Sequence, residues 1–254
     1  MLLLQNGLLV RSELFRIYQA IGNPIHEVER FNQWNVDELI YLDISRDDSY
    51  DLRRDDARVK NIGGPLDILR AVGKNCFMPL TWGGRIRSVD GMRAIISSGA
   101  DKVAINSQAL ANPDLIAQGA KVFGSQAIVV SIDVRRHDDG RLEVFSEGGR
   151  TATGRRPEKW AREAEERGAG EILIQSIDRD GTGSGYDLDL VARMADAVSI
   201  PLIACSGVGR YEDYVEGIKA GAAAVAAANI WHFKDLADRG GKRALVKAGI
   251  NVRH

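Results

Sequence analysis

The property that most restricts the fold of this chain is a rhythm. Short apolar runs rich in β-branched residues alternate with longer amphipathic stretches along its length. The runs Leu2–Leu4, Glu38–Ile44, Phe77–Trp82, Lys102–Ile105, Ala127–Asp133, Glu171–Ile177, Pro201–Cys205 and Ala223–Ala227 are predicted strands. Between them, Pro24–Asn35, Pro65–Val72, Val89–Ser98, Pro113–Phe123, Pro157–Arg167, Leu188–Val198 and Tyr211–Ala220 are predicted helices. Several open on proline, whose missing N–H is harmless there, and several close at glycine. Strand alternating with helix implies a parallel sheet. Eight units in 254 residues is about 32 each, the size of a βα unit.

The rhythm also repeats. Pro79-Leu80 recurs as Pro201-Leu202, each before a glycine-containing loop, and Gly99-Ala100 recurs as Gly221-Ala222. The period is near 122 residues, about half the chain. The expected fold is therefore α/β, a single (β/α)8 TIM barrel over residues 1–254, built from half-barrel repeats of about 1–122 and 123–254. The run Leu142–Ser146, flanked by Asp138-Asp139-Gly140 and Gly148-Gly149, is expected to form a small inserted hairpin.

Composition narrows the function classes. The 34 basic and 35 acidic residues cancel to −1, which argues against a bulk electrostatic grip on nucleic acid or an anionic membrane. The start turns polar after three leucines and lacks a basic n-region, unlike a signal peptide, and no run approaches the ~20 apolar residues of a membrane helix. The protein is expected to be cytoplasmic. The two cysteines, Cys76 and Cys205, sit in separate apolar runs and are read as small buried hydrophobes, with neither metal spacing nor disulfide framework. No metal and no cofactor is expected. The histidines His26, His137, His232 and His254 are read as surface residues, and the pair Arg53-Arg54 as solvated.

In such a barrel the chemistry gathers at the C-terminal ends of the strands. Asp43 ends the second predicted strand, Asp133 the fifth, and Asp178 and Asp180 follow the sixth. Converging carboxylates can serve as general acid and base, and the bland alternative is salt-bridging or helix capping. Asp133, behind a long apolar run, favours a functional role; Asp43 and Asp180 are further candidates. Anion cradles need free backbone N–H groups before helix starts. Gly83-Gly84 with Asn106-Ser107 forms one candidate, and Ser206-Gly207 with Asn229 forms its repeat-related partner, with Gly181 in a glycine-rich loop expected to be flexible over the mouth. Two cradles suit a substrate with a phosphate at each end. Arg135-Arg136 is a second-ranked phosphate contact.

Several stretches resemble the cyclase subunit of imidazole glycerol phosphate synthase. These are Gly99-Ala100-Asp101-Lys102-Val103-Ala104-Ile105-Asn106, Phe123-Gly124-Ser125-Gln126-Ala127, Ser131-Ile132-Asp133 and Gly168-Ala169-Gly170-Glu171-Ile172-Leu173. The most specific are Ser176-Ile177-Asp178-Arg179-Asp180-Gly181-Thr182 and Ser184-Gly185-Tyr186-Asp187. The resemblance implies a barrel that takes ammonia from a glutaminase partner at its N-terminal face. It also implies that ammonia passes through the barrel to a bisphosphorylated ribulosyl substrate at the other face. It places one catalytic aspartate on Asp133 and the other, by alignment through Gln5-Asn6-Gly7, on Leu3, which cannot carry a proton. The family's first-loop lysine falls on Arg11, its glycine triplet becomes Gly83-Gly84-Arg85, and its threonine before Ser176 is Gln175. The charged ring at the ammonia entrance is kept as Glu38, Lys102 and Glu171.

These departures resemble a divergent branch associated with surface-polysaccharide loci, where a cyclase-like barrel and a glutaminase-like subunit deliver ammonia to a separate sugar amidotransferase. Three other readings stay open: a genuine cyclase of histidine biosynthesis with Asp43 or Asp180 standing in, a phosphoribosyl isomerase-like barrel, and a scaffold without a ligand.

Overall fold

The computed structural model describes residues 1–34, 36–46, 50, 63–233 and 237–253. Arg53, Arg54, His254 and Asn35, the expected end of the first helix, lie outside the described residues.

Among the described residues twelve strands form one sheet: β1 (Leu2–Gln5), β2 (Leu8–Glu13), β3 (Ile17–Gly22), β4 (Leu39–Asp43), β5 (Leu80–Gly83), β6 (Lys102–Ile105), β7 (Ile128–Arg136), β8 (Leu142–Ser146), β9 (Thr151–Ala152), β10 (Glu171–Ser176), β11 (Leu202–Cys205) and β12 (Ala224–Val225). Among the described residues the order β1-β4-β5-β6-β7-β10-β11-β12 runs parallel, and each of these strands overlaps one of the eight predicted runs. Helices fall between them, as the βαβ rhythm requires. The result is a curled parallel sheet of the (β/α)8 type. The N-terminal amine of Met1 donates to the Ala227 carbonyl at 2.7 Å, linking the two ends of the parallel array.

Both faces of the parallel strands other than β12 are largely buried, so these strands read as continuous apolar runs rather than alternating ones. Alternation still decides which residue faces which layer. On β4, Leu39 and Tyr41 join the outer core against the helices, where Tyr41 stacks on Trp82 with ring centroids 5.6 Å apart. Ile40 and Leu42 join a second, inner cluster with Leu3, Ala104, Val129, Leu173 and Ile203. That inner cluster is the lumen of the curled sheet.

Two departures from the expected elements bear on the site. First, β1 turns straight into an antiparallel hairpin, β2–β3. Its register pairs Gln5 with Leu8, leaving Asn6-Gly7 as a two-residue turn with φ of 50° and 79°. Asn-Gly is the strongest short-range hairpin signal because both turn residues take positive φ, and here it was legible in the sequence. Second, β7 does not stop at Asp133 but runs on to Arg136, because Asp133–Arg136 pair antiparallel with Leu142–Phe145 of the inserted hairpin.

The repeat is visible in the backbone. Gly84 and Arg85 after β5 both take positive φ, 102° and 61°, and so do Ser206 and Gly207 after β11, 82° and 94°, each pair 122 residues from its counterpart. Such conformations cost a residue with a side chain on the order of 1 kcal/mol or more and collect at functional loops. At Gly84 a Cβ would sit 2.1 Å from the Asp43 carbonyl oxygen, so the close approach of the two strand ends needs glycine.

Candidate active site

The side chains inside the curled sheet stack in layers set by strand register. Glu171 pairs with Val129, Leu173 with Ser131 and Gln175 with Asp133, so inward residues on β10 rise two at a time from the N-terminal rim to the mouth. Lys102 and Ala104 do the same on β6, with Asn106 following.

At the N-terminal rim, Lys102 Nζ donates to Glu171 Oε1 at 2.6 Å and to Glu38 Oε2 at 3.1 Å. Partial burial alone would lower the lysine, but the bonds to Glu171 and Glu38 outweigh it and hold the ammonium form. The structure thus brings together the three residues expected at an ammonia entrance. Above them lies the apolar layer of the inner cluster.

At the C-terminal ends a cavity of about 590 Å³ opens, with Asp133, Asp43, Gln175, Asn106, Ser107 and Leu3 in its walls. Asp133 is 3% exposed. Burial is the main reason its carboxyl is pushed up to about 7; hydrogen bonds from Asn106 and Gln175 oppose that rise and the charge of Asp180 adds to it. Gln175 Nε2 donates to Asp133 Oδ1 at 3.0 Å and to Ser131 Oγ at 3.2 Å. A carboxyl poised near neutrality over a cavity is suited to general acid–base work.

The other two candidate acids are more occupied. Asp43 Oδ2 accepts from Tyr50 Oη at 3.0 Å and Oδ1 from the Ser45 N–H at 3.0 Å, with Arg85 Nη1 at 3.9 Å. Asp180 Oδ2 accepts from Ser12 Oγ at 2.6 Å and from the Phe15 N–H at 3.2 Å, and its carboxyl is raised, chiefly by burial. It ties the tip of the β2–β3 hairpin over the mouth. Asp178 lies apart from both, accepting from the Arg136 N–H at 2.7 Å.

The first anion cradle is part of this cavity: Gly84, Asn106 and Ser107 line it, and Gly83 sits beneath on β5, packed against Leu42 and Ala104. Ser107 Oγ accepts from the Glu147 N–H at 2.9 Å, joining the cradle to the inserted hairpin. The second cradle does not open into the same cavity. Asn229 Nδ2 donates to the Ser12 carbonyl at 3.3 Å, Gly181 packs on the Ser12 carbonyl, and the Gly185 N–H donates to the Gly207 carbonyl at 2.8 Å. The glycine-rich loop expected to be flexible is therefore pinned, backbone against backbone, to the Ser206-Gly207 loop. Arg11 lies on β2 with Glu13 at 3.8 Å and is not among the cavity walls. Of the second-ranked arginine pair, Arg136 is taken up by Asp187 at 2.9 Å, whereas Arg135 Nη2 donates to the Gly149 carbonyl at 2.9 Å.

Sequence reasoning missed the arginines at the rim, Arg46, Arg87 and Arg150, and the hairpin residues Ser12, Phe15 and Tyr18 that reach the mouth. The Asn6-Gly7 turn was the available signal for the hairpin; the arginines carried none beyond following a strand end. It also misjudged His232, which is half-buried and pushed down to about 4, mainly by burial. Cys205 is buried as expected, its thiol pushed up to about 11 by burial, whereas Cys76 is only half-buried. Among the described residues no His/Cys/Asp/Glu group is arranged to hold a metal ion, and no helix is long and apolar enough to cross a membrane.

Comparison with known proteins adds to this geometry. The sequence model of the family described as "Histidine biosynthesis protein" matches residues 2–237. The chain is 43% identical over 250 residues, 98% of its length and 93% of the relative's, to "Imidazole glycerol phosphate synthase subunit HisF" of Gluconacetobacter diazotrophicus. It is 40% identical over 252 residues to the subunit of the same name from Alkaliphilus metalliredigens, covering 98% of this chain and 95% of that protein.

Proposed function

Because the chain belongs to the histidine biosynthesis protein family, we propose that it is an ammonia-using subunit of the imidazole glycerol phosphate synthase type. In this reading it works beside a glutaminase subunit in the cytoplasm. The column of inward residues on β10 supports it best. Glu171 meets Lys102 at the rim, Leu173 lies in the apolar lumen, and Gln175 touches Asp133 at the mouth. Neutral ammonia crosses an apolar layer at far lower cost than ammonium, so a charged rim below an apolar lumen favours delivery of the uncharged species. At the mouth Asp133 is the acid–base group, with Asp43 and Asp180 flanking it. Gly83, Gly84, Asn106 and Ser107 cradle one anionic end of a substrate, and Gly181, Ser206, Gly207 and Asn229 are the candidates for the other. The reading takes residues 1–254 as one barrel of two related halves, which the matched backbone at Gly84-Arg85 and Ser206-Gly207 supports.

Leu3, 7% exposed, occupies the cavity wall where the resemblance calls for a second acid. We infer that cyclase chemistry is weakened and that ammonia serves amidation of a surface-polysaccharide sugar through a separate amidotransferase. The test supplies the purified protein with ammonium salt and the bisphosphorylated ribulosyl intermediate. Turnover at ordinary cyclase rates would remove the sugar-amidation half of the proposal. Purification without any glutaminase partner, from cells expressing the neighbouring genes, would remove the other half.

A second reading, a working cyclase, draws on Asp180, whose buried and raised carboxyl stands across the mouth from Asp133. Loss of a general acid or base typically costs ~10²–10⁴-fold, so Leu3→Asp should raise cyclase turnover if Asp180 does not substitute and leave it unchanged if it does.

A further inference from the structure

We propose that Gln175 is a positioning residue for Asp133, holding one carboxylate oxygen so that the other faces the mouth cavity. The inference deepens the proposed function and rests on it only for the reaction that Asp133 would serve. The contact itself does not depend on any substrate.

Gln175 is 4% exposed and Asp133 3%, so their hydrogen bond is made out of water, where an unmet polar group is costly. The Gln175 amide nitrogen has two hydrogens and two acceptors, Ser131 Oγ at 3.2 Å and Asp133 Oδ1 at 3.0 Å. Both hydrogens are thereby spent, and the amide cannot swing away without orphaning two buried groups. Ser131 and Asp133 are both on β7, and Gln175 lies directly opposite Asp133 in the β10–β7 register, so the amide spans neighbouring inward positions of one strand. A shorter side chain at 175 has no atom at that place. Asn106, just after β6, also counters the rise in Asp133, and its own Oδ1 is buried without a partner. The Gln175 amide, a neutral donor that holds no titratable proton, thus fixes an acid above the lumen.

Such a clamp favours the charged form of Asp133 and opposes the effect of burial. The other charges near Asp133 come from separate elements. Asp180 follows β10, and Tyr18 on β3 feels Asp133, Asp180, Arg46 and Arg150. Asp43 at the end of β4, Arg85 and Arg87 after β5, and Glu147 on the hairpin loop share the cavity. All of these stay in place when residue 175 alone is changed, so a shift in Asp133 on such a change reports the amide.

The experiment is a carboxyl-carbon NMR titration of Asp133 in the full chain, with Asp133→Asn assigning the signal. Gln175→Met keeps length and volume and removes the donor. We expect Asp133 to hold its proton about tenfold to hundredfold more tightly in that variant, the worth of one hydrogen bond to a charged group. Gln175→Glu keeps the shape and adds a like charge, and should raise the upper titration step of the resulting pair at least as far. Ser131→Ala, which removes only the second acceptor, should move it little. An Asp133 midpoint unchanged in folded Gln175→Met overturns the proposal, as does a downward shift. If Gln175→Met does not fold, the unchanged midpoint of Gln175→Glu does the same. Ordinary cyclase turnover, or purification without a glutaminase partner, would sink the matching half of the proposed function and leave this titration intact.

Discussion

Replacing Asp133 with asparagine should stabilise the protein at high pH and not at low pH. In the folded chain the carboxyl is pushed from an ordinary 3.8 to about 7. In the unfolded chain it releases its proton near the ordinary value. Between those two pH values the folded state therefore holds more protons than the unfolded one, and stability falls as pH rises. The contribution is fully present below about 3.8 and lost by about 7. A gap of about three pH units at ~1.4 kcal/mol each is worth about 4 kcal/mol. Asparagine loses part of the Gln175 and Asn106 bonding, so a net gain of roughly 2–4 kcal/mol at pH 8 is expected. For a chain of this size that raises Tm by about 4–16 °C. Urea unfolding followed by tryptophan fluorescence, run on both proteins from pH 4 to pH 8, measures it. The decisive quantity is the slope: the difference between variant and parent should climb by about 1.3 kcal/mol per pH unit in mid-window. A difference flat in pH, whatever its size, would refute the reasoning. The same variant should lose ~10²–10⁴-fold in turnover if Asp133 is the acid–base group, the pattern of an active-site residue that costs stability.

Other perturbations follow from the same geometry. Lys102→Met leaves Glu171 and Glu38 facing each other at the rim and should destabilise by about 1–3 kcal/mol, read as a lower urea midpoint with unchanged m-value. It should also uncouple ammonia transfer from a glutaminase while leaving use of free ammonium largely intact. Gly84→Ala sets a Cβ against the Asp43 carbonyl at positive φ and should cost about 2–4 kcal/mol, with near-ultraviolet circular dichroism reporting a disturbed mouth. Ser12→Ala removes the 2.6 Å bond to Asp180 and should loosen the hairpin tip, seen as faster amide exchange at Phe15 with a global loss of about 1–2 kcal/mol.

What the sequence alone determined is local in origin. Short apolar runs mark the eight parallel strands of the described residues, because hydrophobic pattern and turn chemistry are written within each segment. From strand ends alone, Asp43, Asp133 and the Ser107 cradle fall at one mouth, since parallel strands share a direction. The matched left-handed residues 122 apart were foreshadowed by the repeated Pro-Leu and glycine pairs. Which side chains touch was decided by tertiary structure. Lys102 meets Glu38 and Glu171 across 64 and 69 residues, Gln175 meets Asp133 across 42, and Ser12 meets Asp180 across 168. Those contacts depend on strand register and on the curl of the sheet, and a slip of one residue would turn each of these side chains to the opposite face. Burial belongs to the same level. Asp133 and Asp178 are both aspartates at strand ends, yet one is sealed over the lumen near neutrality and the other lies at the surface beside Arg136, because only the packed sheet decides which of them loses its water.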